Sequence, residues 1–178
     1  MANREALREL QTRLAERMQA ARREQRGQSW LAVECRGHGL LLPLEQAGEI
    51  FPPTALMPVP HTRDWFVGVA NLRGGLHGVV DLARFLGLPV AAPAEAAREQ
   101  SRLIAFSAAL GLNCALLVDR LAGLRSSEQL RAEADVQDDG GPRPAFAGAR
   151  WRDADGRGWQ VLDLAALARD AQFLSIVA

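Results

Sequence analysis

The spacing of apolar residues changes near residue 30. Before this point they recur at steps of three and four: Leu7, Leu10, Leu14, Met18 and Ala21. Such a period marks one face of an amphipathic helix, and Gly27 supplies a C-terminal stop, so we predict an N-terminal amphipathic helix within residues 1–28. A helix packed on its own domain with a solvated basic face is favoured over a docking helix for a partner or a membrane surface.

After Trp30 the apolar residues occur in short runs separated by turn residues. Runs typical of β-strands cover residues 31–34, 40–42, 66–72, 76–80, 103–106, 114–118, 147–151 and 158–162. The dipeptide Asp155-Gly156 is a strong hairpin signal between the last two runs. Many short strands are the pattern of small barrels. The sequence therefore predicts a mainly β protein with short helices.

An internal repeat organises this β region. The sequence VVDLA at residues 79–83 returns as VLDLA at 161–165, and LEQAG at 44–48 is echoed by DRLAG at 119–123 in the same order. In the first pair a strand ends at an Asp that can cap a short helix. We predict two related small barrels whose apolar faces meet. The predicted core domain covers 29–174, with subdomains at about 29–88 and 101–174, a linker at 89–100 and a mobile loop at 126–146.

Composition and charge narrow the functional classes. The formal net charge is zero and all 21 basic residues are Arg, which argues against strong attraction to nucleic acid or to an anionic membrane. The N-terminus lacks the unbroken apolar stretch of a signal peptide, and no apolar run is long enough to cross a bilayer. Cys35 and Cys114 fit buried thiols of a reducing compartment. We expect a cytoplasmic protein with no membrane insertion and no nucleic-acid partner.

Residues that could carry catalysis are sparse. His38, His61 and His77 lack the spacing of metal ligands, and no Cys-x-x-Cys pair occurs. The sequence contains neither a phosphate-binding glycine motif nor the nucleophile motif of the hydrolases. We therefore predict no enzyme activity, no catalytic residue, no metal site and no cofactor.

One segment, WFVGVANLRGG at residues 65–75, predicts a strand that runs into a polar corner. Asn71 and Arg73 lie on one side of it by the two-residue period of a strand, and the glycines let another backbone come close. A guanidinium at such a corner is suited to clamping carbonyls or a carboxylate of this protein or of a partner. The alternative is an internal Arg73 that ties the corner down.

The same segment carries a family resemblance. GVANLRG at residues 68–74, followed by VVDL at 79–82, resembles the central signature of CheW-like chemotaxis adaptors. Glu49-Ile50 and PVP at 58–60 match that family in order and spacing, and the similarity extends over about residues 30–174. Within the family the chain is most similar to the PilI branch of type IV pilus (twitching) systems, through its N-terminal helix, QSW at 28–30 and the ending RDAQFL at 169–174.

The resemblance implies two five-stranded SH3-like barrels that share an apolar seam. It also implies a non-enzymatic adaptor between a CheA-type histidine kinase and the cytoplasmic tip of a methyl-accepting chemoreceptor, located at membrane chemoreceptor arrays. Family positions linked to receptor contact fall on Ala47, Glu49, Gly68 and Arg73, and Asn71 and Gly74 complete the corner. We predict that Arg73 serves partner recognition more than stability. Two alternatives stay open: a general flagellar chemotaxis adaptor and a small-barrel nucleic-acid-binding protein.

Overall fold

The computed structural model describes residues 28–89, 99–133 and 143–178. The strands are β1 Ser29–Cys35, β2 His38–Pro43, β3 Ala47–Phe51, β4 Phe66–Leu72, β5 Gly75–Asp81, β6 Arg102–Phe106, β7 Cys114–Val118, β8 Arg120–Ser126, β9 Arg131–Ala132, β10 Ala147–Arg152 and β11 Gly158–Leu162. The helices are α1 Leu82–Phe85, α2 Leu164–Leu167 and α3 Ala171–Leu174, with a 3-10 turn at Ala108–Leu110. The predicted mainly β class is confirmed. The predicted N-terminal helix, most of the predicted linker and the middle of the predicted loop lie outside the described residues.

The strands form two mixed sheets with the same internal plan. One has the order β8-β1-β2-β11-β10-β9 and the other the order β3-β6-β7-β5-β4. Each contains one parallel contact, between β2 and β11 in the first and between β5 and β7 in the second. If β1 to β5 are matched with β6, β7, β8, β10 and β11, one order becomes the other. Short β9 is the extra strand that makes the first sheet six-stranded rather than five-stranded.

The two sheets exchange strands between the halves of the chain. Strands β1 and β2 lie in the sheet of β8 to β11, and β3 to β5 lie in the sheet of β6 and β7. A boundary at residues 89–100 therefore does not separate the sheets. A repeat in sequence reports that two units are alike, but it carries no information about which copy of a strand pairs with which neighbour.

Both copies of the repeated pentapeptide end a strand and begin a helix, as predicted. The side chain of Asp81 accepts a hydrogen bond from the backbone N–H of Arg84 at the start of α1. The side chain of Asp163 accepts from the N–H groups of Ala165 and Ala166 at the start of α2. These caps satisfy N–H groups that a short helix leaves open. None of the helices in the described ranges has the length and apolar content needed to span a bilayer.

Three apolar clusters hold the fold together. Inside the six-stranded sheet lie Trp30, Ala32, Leu41, Leu130 and Trp159. Inside the five-stranded sheet lie Ala70, Leu72, Val79, Leu103 and Ala115. A larger seam cluster, which includes Leu31, Val33, Leu42, Ile104, Phe106, Leu116, Leu164 and Phe173, joins the opposite faces of both sheets to the helices. Alternate residues of a strand point to opposite faces, so one strand supplies both an interior and the seam.

The two cysteines belong to the seam cluster. Cys35 and Cys114 are buried and free. Burial raises the pKa of each thiol to about 12, so neither forms a thiolate near neutral pH. The prediction that both are core thiols is confirmed.

Candidate functional site

Arg73 and Glu49 meet on the surface of the five-stranded sheet. Glu49 lies in β3 and Arg73 lies in the turn after β4, and these strands are the two edges of the sheet. The Arg73 guanidinium is 2.9 Å from the Glu49 carboxylate, and the two side chains are 75% and 41% exposed. The ion pair therefore joins the edges of the curved sheet while leaving both charges open to solvent. We call Glu49, Asn71, Arg73 and Gly74 the Arg73 corner.

The backbone of the turn presents Arg73 outward. Leu72 and Gly75 pair across the β4–β5 hairpin, so Arg73 and Gly74 are its two central residues. Their φ values are 49° and 81°, and positive φ at both positions is the mark of the tight hairpin turn that matches strand twist. The Asn71 side-chain oxygen accepts a hydrogen bond of 2.8 Å from the N–H of Gly74. Asn71 and Gly74 thus shape the turn on which Arg73 stands.

Gly68 supports the corner from inside. It is buried, with φ of +133°, and a Cβ at this position would lie 2.4 Å from the carbonyl oxygen of Met57. The backbones of Met57 and Val69 exchange two hydrogen bonds of 2.8 and 2.9 Å. The chain that follows β3 is thereby fastened to β4 at the open side of the sheet. Gly68 makes this close approach possible and offers a partner no side chain.

Ala47 lies at the other end of β3. It pairs with Phe106 and packs half-buried against the seam cluster. Its neighbour Gly48, which the sequence analysis did not single out, is equally constrained because a Cβ there would lie 2.8 Å from the Phe106 carbonyl oxygen. The register of β3 shifts between Ala47 and Ile50, and a glycine within a strand is a signal for such a bulge. The structure brings Ala47 to the same strand as Glu49 but not to the corner itself.

Two exposed apolar side chains flank the corner, and the sequence analysis missed both. Met57 is 66% exposed and Leu76 is 61% exposed. Met57 is paired with Val69, and Leu76 is paired with Asn71. Directly paired residues share a face, as do residues two apart in a strand, so these side chains lie on one outer face. Apolar groups beside a charged rim are typical of a protein-binding surface.

A second charged cluster lies on the six-stranded sheet. Glu34 of β1 is only 7% exposed. Its carboxylate accepts hydrogen bonds from the Arg120 guanidinium at 2.7 and 2.5 Å and a further one from Arg157. Burial alone would raise the pKa of Glu34, but the hydrogen bonds and charges of the two arginines outweigh it and hold the pKa below its usual value. This cluster ties β1, β8 and the β10–β11 hairpin together.

Comparison with known proteins places these features in a family context. The chain matches the family model of the CheW-like domain over residues 29–172. It is 30% identical over 158 residues to Protein PilI of Pseudomonas aeruginosa strain PAO1, which covers 84% of this chain and 81% of that protein. The fold is similar to the crystal structure of the scaffolding protein TtCheW from Thermoanaerobacter tengcongensis, with a TM-score of 0.60, 18% identity, and coverage of 76% of this chain and 88% of that one.

Proposed function

The chain belongs to the CheW-like domain family, a family of scaffold and adaptor proteins, and we propose that it couples chemoreceptors to a CheA-type histidine kinase without catalysing a reaction. The system proposed is the chemosensory pathway of type IV pili. Similarity to Protein PilI over most of both chains supports this branch.

The Arg73 corner is the observation that carries the proposal. The fold brings Glu49 into an ion pair with Arg73, although the two are far apart in sequence. Asn71 and Gly74 fix the turn that carries Arg73. The side chain of Arg73 is 75% exposed, so a partner can reach it without unfolding the protein. We propose that this corner contacts the cytoplasmic tip of the receptor, with Gly68 and Ala47 holding the strands that carry it.

Energetics favour a partner contact at this position. An exposed ion pair contributes only about 0–1 kcal/mol to folding, so exchanging Glu49 for an acidic group of a partner costs the free protein little. The two-residue turn and the Asn71 hydrogen bond already fix the backbone of Arg73. Contacts made by a pre-organised group lose less entropy on binding. The adjacent Met57 and Leu76 supply apolar surface that a helical receptor tip could cover.

The test is a titration of the full chain with a receptor cytoplasmic fragment and with the kinase. Wild type is expected to bind both partners at once. Arg73→Glu reverses the charge at the corner and is expected to weaken receptor binding by about 30-fold, which corresponds to about 2 kcal/mol, with kinase affinity unchanged.

Arg152→Glu is the matched control, because it breaks the exposed Arg152 to Glu133 ion pair on the other sheet with the same change of charge. Equal losses for Arg73→Glu and Arg152→Glu, or no loss for either, would contradict the proposed role of the corner. Receptor fragments from the pilus and flagellar systems, titrated side by side, distinguish the two pathways. Salt-sensitive binding to DNA or RNA without receptor binding would instead support the nucleic-acid alternative.

A further inference from the structure

A groove opens where the core domain begins. It has a volume of about 920 Å³ and is formed by the start of β1, the connection between β2 and β3, and parts of β10 and β11. Its apolar wall includes Trp30, Leu44, Trp151 and Val161, and Leu44 is 43% exposed. The groove lies on the six-stranded sheet and does not include any residue of the Arg73 corner.

The floor of the groove contains a polar atom that lacks a partner. The indole nitrogen of Trp151 is buried and makes no hydrogen bond to any residue that the structure describes. A buried donor left without an acceptor costs about 1–3 kcal/mol, and native proteins rarely leave one so. Trp151 also lines the groove, so an occupant that packs on its ring and shifts the indole is a source of an acceptor.

The charge of the groove is negative. Glu45 and Asp163 line it, and none of its described lining residues is basic. Residues 1–27 carry the opposite balance, with seven Arg against four Glu. Opposite potentials on two surfaces steer them together and suppress wrong partners.

The position and the length of the N-terminal segment also favour residues 1–27 as the occupant of the groove. Gln28 and Ser29 line the groove, so the N-terminal segment enters the described structure at the groove's own rim. Its apolar residues repeat at helical spacing, and 27 residues of helix reach about 40 Å, enough to extend along the groove. A tethered segment of this length meets its site at a high effective concentration.

We propose that residues 1–27 dock into this groove of their own chain. The stripe of Leu7, Leu10, Leu14 and Met18 covers Leu44 and Trp151, and the arginines of the segment face Glu45 and Asp163. The groove is then a surface that the protein itself covers. The proposal is independent of the receptor contact at the Arg73 corner.

The test measures how fast a Glu-specific protease cuts the full chain after Glu9 and Glu16. Ala149 lines the groove and is exposed, so Ala149→Arg adds bulk and repulsive charge there without disturbing the core. Docking predicts cleavage about tenfold faster in Ala149→Arg than in wild type, because the site must open before it is cut. Ala55→Arg, at an exposed position in the segment between β3 and β4 that does not line the groove, is the matched control and is expected to be cut at the wild-type rate.

Two further results would overturn the proposal. If wild type and Ala149→Arg are cut equally fast, the segment does not occupy the groove and an external partner is left as the occupant. If wild type is protected but loses that protection on 100-fold dilution, a second copy of the chain occupies the groove. Hydrogen exchange of residues 148–151 gives an independent readout: Leu10→Ser with Leu14→Ser is expected to raise it, and Gln11→Ser with Thr12→Ser is not.

Discussion

Two of the arginine–glutamate contacts in the described residues use the same chemistry in opposite surroundings. Glu34 is 7% exposed and is held by Arg120 of β8 and by Arg157 of the β10–β11 turn. Glu49 and Arg73 form a single pair whose side chains are 41% and 75% exposed. Water screens the second pair but not the first. Burial therefore separates a cluster that stabilises the six-stranded sheet from one that is available to a partner.

The Arg73 corner still contributes to stability, but through its backbone. Gly68 has φ of +133° and no room for a Cβ beside the Met57 carbonyl. We expect Gly68→Ala to destabilise the protein by about 3 kcal/mol, because the strain and the clash add. Gly74→Ala is the comparison, since Gly74 has φ of +81° with open space around it, and its expected cost is about 1 kcal/mol. Urea denaturation measures both, and equal costs would show that the Met57 contact does not constrain Gly68.

Neutralising Glu34 is expected to have the next largest effect. Glu34→Gln keeps the shape but removes the charge that Arg120 and Arg157 bind, and hydrogen bonds to charged groups contribute about 1.5–3 kcal/mol. We expect a loss of about 2 kcal/mol in the free energy of unfolding. Glu49→Gln makes the same change at the exposed pair and is expected to cost less than about 0.5 kcal/mol. A comparable loss from both substitutions would remove the distinction between the clusters.

The stability of the protein should also fall with acid through Glu34. Because the folded state holds the pKa of Glu34 below its usual value of 4.5, the stabilisation is fully present above that value. It is lost as the pH falls through the lower pKa of the folded state. Denaturation midpoints at pH 6, 4.5 and 3.5 should therefore fall more steeply in wild type than in Glu34→Gln. Parallel curves would mean that other carboxylates account for the acid sensitivity.

The interior strands of this fold can be predicted from sequence, and of the four edge strands in the described sheets only β4 can. All eight predicted runs are strands in the structure. The missed strands β3, β8 and β9 are all edges of their sheets. These three strands have no fully buried residue, and they carry charges and, in β3 and β8, glycines that protect an edge from further pairing. They therefore lack the apolar runs on which the prediction depends.

The residues of the candidate site also divide into those that the sequence predicts and those that it does not. Asn71, Arg73 and Gly74 were predictable as a unit because one tight turn brings them together within a few residues. That Glu49 pairs with Arg73 depends on how the five-stranded sheet curves, which no local pattern specifies. Met57 was missed because it lies in an irregular segment. Leu76 was missed because it lies within β5, and sequence alone does not distinguish an exposed apolar residue of a strand from a core residue.

A single pair of variants, each measured in two ways, tests the central claim most directly. Arg73→Glu and Glu34→Gln are compared by denaturation midpoint and by receptor titration of the folded protein. The account predicts that Arg73→Glu keeps a near-wild-type midpoint and loses receptor binding, while Glu34→Gln loses stability and, at a temperature where it is folded, binds the receptor normally. A large fall in the midpoint of Arg73→Glu, with receptor binding intact in the folded fraction, would make Arg73 a structural clamp and contradict the account.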